Sequence, residues 1–344
     1  MNTPDASTRM YREAAQAPAA VREQLHVNAA RVERLAERLR QAPPRAIVTC
    51  ARGSSDHAAT FARYLIETRL GLLTSSAAPS VSSVYDASPD FAGTVVLAIS
   101  QSGSSPDLLA TVTSARAAGA RIVALVNAES SPLAQLADDL LPLRAGLERS
   151  VAATKSFIAS LTAIVHLVGH WSRDAQLSAA LHQAPQLLAR AWELNWSAAL
   201  APLTPAHNLY VVARGLGLAI AQEAALKFKE TCGLHAEALS AAELRHGPMA
   251  LVRSGFPVLV FTQNDESRAG VAELTGELAA QGANVLVAGA AIAHTTVLPT
   301  HGAHPVIEPL LFVQSFYRMV NALSLARGSN PDHPTHLKKV TETL

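Results

Sequence analysis

The stretch QEAALKFKETCGLHAEALSAAELRHGP sets two carboxylates and an amine at helical spacing: Glu223, Lys227 and Glu230 stand at i, i+4 and i+7. Residues so spaced share a helix face, with Lys229 turned elsewhere. A solvated ion-pair stripe uses the same residue types. Here Ala224, Ala225, Leu226 and Phe228 leave little of the helix for solvent. A carboxylate held on a mostly buried helix suits a positioned base, the group needed to move a proton between adjacent carbons. His246 follows in ELRHGP, ahead of a Gly-Pro turn. A turn histidine titrates near neutral pH and can pass a proton, and Glu243 is its candidate orienting partner. His235 and Glu237 in HAEA lack the spacing of HExxH or CxxC motifs, so no metal is expected.

A second chemistry-bearing stretch is AISQSGSSPDLLATV, from Ala98. An apolar run ends in SQSGSS, and Ser105-Pro106-Asp107 then starts a helix: a cap, a first-turn proline and an acidic residue suited to the dipole. Leu108, Leu109, Val112 and Ala115 would face the sheet. The loop therefore lies at the carboxyl end of a parallel strand and just before a helix N-terminus, where ligands and anions are favoured. It has no lysine and matches neither GxxxxGK[ST] nor GxGxxG. The expectation is a site for one small phosphate, held by serine hydroxyls, the Gln101 amide and backbone N–H groups. Arg52-Gly53-Ser54-Ser55 supplies similar residues at another strand end.

The elements that must hold these loops follow from periodicity. AIVTC, TVVLAIS and RIVALVN are almost uninterrupted apolar runs alternating with amphipathic helical stretches. That pattern means a parallel sheet covered on both faces. The second half repeats the first. CARGSSDHAATFARYLIET begins at Cys50 and VARGLGLAIAQEAALKFKET at Val212; VVLA precedes IVAL by 27 residues, and VLVF precedes VLVA by 27. Two such coincidences in one order argue for a duplicated α/β unit. Residues 7–41 read as helix broken near Pro18, and residues 151–200 as largely helical. The expected division is a helical lead-in over 1–40, a first domain over 41–200, a second over 201–330 and a tail over 331–344.

Composition narrows the classes. The chain of 344 residues is 49% hydrophobic, 16% charged and 5% aromatic, with a formal net charge of +1. No basic block suits a phosphodiester backbone, so nucleic acid is not an expected partner. Cys50 and Cys232 sit in apolar surroundings and read as buried thiols. No apolar run approaches the ~20 residues of a membrane span, and nothing near Met1 resembles a signal peptide. A soluble cytoplasmic protein is expected.

Taken in order, ARGSSDHAATFARYLIE, SQSGSSPDLLATVTSARAAGARIVAL, ERSVAATKSFIASLTAI, QEAALKFKETCGLHAEALSAAELRHGPMALV and HLKKVTETL resemble the sugar-isomerase (SIS) double domain. This is the isomerase half of glucosamine-6-phosphate synthase and its stand-alone relatives. The resemblance runs from about Met10 to Leu344 and is most specific over 223–249. It implies two tandem flavodoxin-like domains, each a parallel sheet flanked by helices, and sugar 6-phosphates as ligands. By match to the family's motifs, Ser100, Gln101, Ser102 and Ser105 hold the phosphate. Gly53, Ser54 and Ser55 border it, and Val151 and Ala153 line the sugar. Glu230 is the base with Lys227 beside it. His246 opens the ring from a neighbouring subunit, which implies a homodimer with shared sites. A tail lysine, Lys339 or its neighbour Lys338, approaches the open-chain carbonyl. Arg52 and Ala153 depart from the small residue and the serine that relatives often carry there.

The synthase's glutaminase domain has a cysteine directly after the initiator methionine, and Asn2 stands there in this sequence. The resemblance therefore leads to release of ammonia: glucosamine 6-phosphate and water giving fructose 6-phosphate and ammonia, without a cofactor. A fructosamine-6-phosphate deglycase and a galactosamine-6-phosphate deaminase remain alternatives within the family. A non-catalytic sugar-phosphate sensor is the alternative from another class.

Overall fold

Apolar runs become the inner strands of two parallel sheets in the computed structural model, which describes residues 7–339. Residues 1–6, with Asn2, and residues 340–344, the end of the expected tail, lie outside the described residues. The chain opens with α1 (Arg9–Ala15) and α2 (Ala17–Gln41). The break falls at Gln16, two residues before the proline that the sequence points to. Pro18 instead occupies the first turn of α2, where its missing N–H costs nothing.

The first sheet is built from β1 (Ala46–Cys50), α3 (Ser54–Leu70), β2 (Thr74–Ser76), α4 (Ser80–Ser83), β3 (Thr94–Ser100), α5 (Pro106–Ala117), β4 (Arg121–Val126), α6 (Pro132–Leu136) and β5 (Asp139–Pro142). Then come α7 (Lys155–Ser172), α8 (Ala175–Trp192) and α9 (Leu200–Leu203). The second sheet follows with β6 (Asn208–Ala213), α10 (Gly217–Cys232), β7 (His235–Ser240), α11 (Ala241–Leu244), β8 (Pro257–Phe261), α12 (Arg268–Ala280), β9 (Asn284–Ala288) and β10 (Thr296–Leu298), and α13 (Glu308–Ala326) comes last.

The strand orders are β2-β1-β3-β4-β5 and β10-β9-β8-β6-β7. Read from its other edge, the second is the first again, with β6 in the place of β1 and β8 in the place of β3. This is the flavodoxin-like order, whose switch point lies between the first and third strands. Every strand pair is parallel, and β3 and β8 are buried along their whole length. The duplicated spacing differs by one residue in register: Val96 pairs with Ile122, an offset of 26, whereas Val258 pairs with Val285, an offset of 27.

The chain divides into two compact units. Among the described residues, one comprises 19–148, 155–182 and 338–339 and contains the first sheet. The other comprises 7–18, 149–154 and 183–337 and contains the second. In the first, Val96, Ala98, Leu108, Val112, Ile122 and Ala124 form one core face. In the second, Val212, Val258, Val260, Leu274, Val285 and Val287 do the same. No helix of the described residues is long and apolar enough to cross a membrane.

Candidate functional site

The serine loop leaves β3 at its carboxyl end, at the switch point of the first sheet. Ser100 is buried, and its Oγ accepts the Gly103 N–H at 2.9 Å. That bond folds the loop back at once. Gly103 has φ +65°, and a Cβ there would stand 2.2 Å from the Ser131 Oγ, so only glycine fits the turn. The Gln101 and Gly103 carbonyls accept the N–H groups of Ala128 and Leu133, which ties the loop to the β4–α6 connection. Gln101, Ser102 and Ser105 stay partly exposed. Ser105 occupies the N-cap position of α5, as the sequence suggests, yet its side chain makes no capping hydrogen bond. The hydroxyl is thereby left to other uses, at the positive end of a twelve-residue helix.

Gly53, Ser54 and Ser55 form the start of α3 at the end of β1, the other strand at that switch point. A charged clasp that the sequence did not announce joins the two turns. Asp107, fully buried in the first turn of α5, takes Arg52 Nε at 2.8 Å and Nη2 at 2.6 Å on its Oδ2. Its Oδ1 accepts the Leu108 N–H at 2.8 Å. Beneath, burial pushes the Cys50 thiol up to about 12, with the Asp107 charge adding to it. Cys50 is therefore a packed thiol, not a nucleophile.

The acid–base candidates sit on α10. Its Ala-rich sequence lets the helix lie close against β6, β7 and α13. Glu223 and Lys227 are fully buried. Lys227 Nζ lies 3.5 Å from Glu223 Oε1 and makes a tighter ion pair with Glu230 Oε2. The Glu230 side chain is 18% exposed, against 1% for Lys227, so only the last carboxylate of the row meets solvent. It does so in a cavity of about 620 Å³, walled by Leu226, Lys229, Glu230 and Gly233 on one side and Ser329, Asn330, His333 and Leu337 on another. Lys229, which helical spacing turns away from the Glu–Lys row, thus shares this wall with Glu230. Cys232 closes the helix as a buried thiol that burial pushes up to about 11.

His246 is exposed in the turn before Pro248 and is not on that cavity wall. Its N–H donates to the Glu243 carbonyl at 2.9 Å, a backbone link that leaves the ring unoriented by Glu243. His235 and Glu237 are exposed on β7, and no trio of His, Cys, Asp or Glu among the described residues is arranged to hold a metal.

Val151 and Ala153 are half-buried in the segment 149–154. That segment is pinned by α1: the Glu13 carboxylate accepts the Arg149 N–H at 2.7 Å and the Ser150 N–H at 3.0 Å. The other end of α1 is tied too, because Asp332 accepts the N–H groups of Arg9 and Met10, each at 2.8 Å. Lys339 pairs with the fully buried Glu148 at 3.2 Å, and the same carboxylate accepts the Ser156 N–H and hydroxyl. Lys338 is exposed. A buried glutamate in GLERSV, a polar run after an apolar strand, was the available signal for the lysine's partner.

The chain is 35% identical over 310 residues to a glutamine–fructose-6-phosphate aminotransferase (isomerizing) of Aeropyrum pernix, a match covering 83% of this chain and 49% of that protein. It spans about half the length of the curated relatives it matches. Among solved structures, a candidate phosphosugar isomerase from Silicibacter pomeroyi superposes with a TM-score of 0.90 at 43% identity, over 94% of this chain and all of that one. The glucosamine-6-phosphate deaminase of Thermotoga maritima shares the fold, with a TM-score of 0.78 at 20% identity over 98% of this chain and all of that one. Residues 39–168 and 202–295 both match the SIS domain, and the chain, with its two flavodoxin-like sheets and paired strand-end turns, belongs to the SIS domain family.

Proposed function

We propose that this chain isomerises an amino-sugar 6-phosphate and releases its nitrogen, converting glucosamine 6-phosphate and water to fructose 6-phosphate and ammonia. The observation that carries the reading is the state of Glu230: a carboxylate open to a cavity of about 620 Å³, while the lysine paired with it is sealed in the protein. That volume lies in the ~300–1,000 Å³ range of small-molecule sites. The 35% identity to a relative named as an isomerizing fructose-6-phosphate aminotransferase supports the same reading.

In this mechanism the serine loop takes the phosphate through the hydroxyls of Ser100, Ser102 and Ser105, the Gln101 amide and the amino end of α5. Binding energy from this remote group positions the reacting carbons. His246 opens the ring, in a second copy of the chain as the family resemblance implies. Glu230 takes the proton from C2 and delivers it to C1, while the C1 oxygen gains a proton. The nitrogen is then left as an iminium at C2; water adds there and ammonia departs. Lys227 holds the Glu230 side chain in place through their ion pair, and Lys339, kept in place by Glu148, steadies the open-chain oxygen.

The test is incubation with glucosamine 6-phosphate in the absence of glutamine, following ammonia and fructose 6-phosphate. Equal appearance of both is expected. Glu230→Gln should abolish turnover, by 10³-fold or more, and still bind fructose 6-phosphate. Binding without ammonia from the wild type would overturn the reading in favour of a sensor, and amino-acid release from fructosamine 6-phosphates in favour of a deglycase. Full turnover by Glu230→Gln would remove that residue as the base.

A further inference from the structure

The row on α10 does not end at Glu223. Tyr317 of α13 is fully buried, and its hydroxyl donates to Glu223 Oε1 at 3.0 Å. The same oxygen faces Lys227 Nζ at 3.5 Å, and Lys227 in turn holds Glu230. Four groups from two helices therefore run in line from the core to the cavity: a phenol, a carboxylate, an ammonium and the carboxylate that meets solvent.

The charges in this line do not balance. Two carboxylates compete for one ammonium, in a place where a buried charge is costly without a partner. The geometry shows which one wins: Lys227 lies closer to Glu230 than to Glu223. A hydrogen bond from a phenol stabilises a buried carboxylate. With that bond, Glu223 needs less of the ammonium, and Lys227 can lean toward Glu230.

We propose that Tyr317 is a positioning residue for the Glu230 base, acting through Glu223 and Lys227; the proposal rests on the reading of Glu230 given above. Other titratable groups stand near the row. Lys229 and His333 share the cavity wall with Glu230. From the strands packed on α10 come Tyr210, which donates to the Pro248 carbonyl, and the exposed His235 and Glu237. From α13, Arg318 donates to the Trp192 carbonyl, and Arg327 to the carbonyls of Cys232, Leu203, Thr204 and Ala206. Tyr317 and Lys227 both reach Glu223 Oε1.

Tyr317→Phe removes one oxygen and little volume. Glu223 should then draw Lys227 back, leaving Glu230 with a weaker cation. A carboxylate that loses its cation ionises at higher pH. The expected result is a roughly tenfold lower kcat with KM for the sugar phosphate within twofold, and an acid limb of kcat/KM moved to higher pH by about one unit. Glu223→Gln on the Tyr317→Phe background removes the competing charge and should restore the acid limb, a coupling that a double-mutant cycle measures. A substrate-free reading comes from carbon-13 NMR of the Glu230 carboxyl, assigned by its loss in Glu230→Gln. Its titration should move the same way in Tyr317→Phe and return in the double variant.

An unchanged titration in Tyr317→Phe, or a double variant no different from the single one, overturns the inference. Failure of the functional reading looks different: wild type without ammonia release, with the NMR response still following Tyr317. A merely structural role for Tyr317 would lower the melting temperature and leave both pH profiles in place.

Discussion

The loops after β3 and β8 stand at corresponding positions in two sheets of the same strand order, and they have opposite characters. From Ser100 at the end of β3 the residues run Ser-Gln-Ser-Gly-Ser-Ser, with neutral donors and a tight turn. After β8 they are Thr-Gln-Asn-Asp-Glu-Ser. There, Asp265 accepts the Ser267 N–H and hydroxyl, and Glu308 accepts the Asn264 N–H at 2.6 Å. Carboxylates of the protein thus occupy donors that an incoming anion would need. The neighbouring turn after β6 is filled as well. Gln263 is buried against Gly215 and Gly217, so close that a Cβ on Gly217 would stand 2.4 Å from its Oε1. One switch point is open and lined with neutral hydrogen-bond donors; the other is plugged by an amide and lined with carboxylates. In the second half the buried charged row lies on the helix that follows β6 instead. The same topology thus carries two different sets of side chains at its switch point.

This contrast can be broken in three ways. The largest effect is expected from Gly103→Ala, which forces a side chain into a left-handed turn against Ser131. Affinity for fructose 6-phosphate, measured by calorimetry, should fall at least 30-fold, because the loop must open to admit the methyl. Wild-type affinity in that variant would show that the phosphate is held elsewhere. A smaller effect should follow Gln263→Ala in the plugged half: a loss of about 1–3 kcal/mol in stability from the vacated space, with sugar-phosphate KM within twofold. A KM change above fivefold would mean that the second switch point takes part in binding.

The smallest effect separates the halves by acid. His166 is buried on α7, in the unit that carries the serine loop, and burial pushes its imidazole down to about 4, with the charges of His170 and His182 adding to this. An unfolded chain takes up that proton near its ordinary value of about 6.5. The unfolded state therefore binds more protons between those values, so stability falls as pH drops from about 6.5 to about 4 and is indifferent to this group below that. Denaturant titrations of His166→Phe against wild type should show a flatter response across that window, by at most about 3 kcal/mol. Parallel pH curves would remove His166 as the source of acid sensitivity.

Both sheets were legible because they are written locally: apolar runs, small-residue turns and a repeat at fixed spacing. The Glu–Lys row and the serine loop were legible for the same reason, each lying within a dozen residues. What stayed hidden are partners brought together by the fold. Tyr317 is 94 residues from Glu223, Glu13 is 136 from Arg149, and Lys339 is 191 from Glu148. No periodicity links such positions. Ser105 shows the opposite limit: the sequence pattern marks a cap, but the hydrogen bond that defines one is not made. Lys229 shows another, since helical spacing identifies shared faces but not where a neighbouring segment folds over to build a wall.

The short helix α1 ties together parts of the chain that lie far apart in sequence. It contributes nothing to either sheet, and the family match begins only at residue 39. Yet Glu13 grips the segment leading to Val151, and Asp332 grips the helix's own first turn. A version begun at residue 39 would retain every strand and lose both ties at once. It would also lose most of α2, whose buried Gln24 and Asn28 donate to the carbonyls of Leu143, Ala159 and Pro142, so trimming guided by the family match alone would discard part of the fold itself.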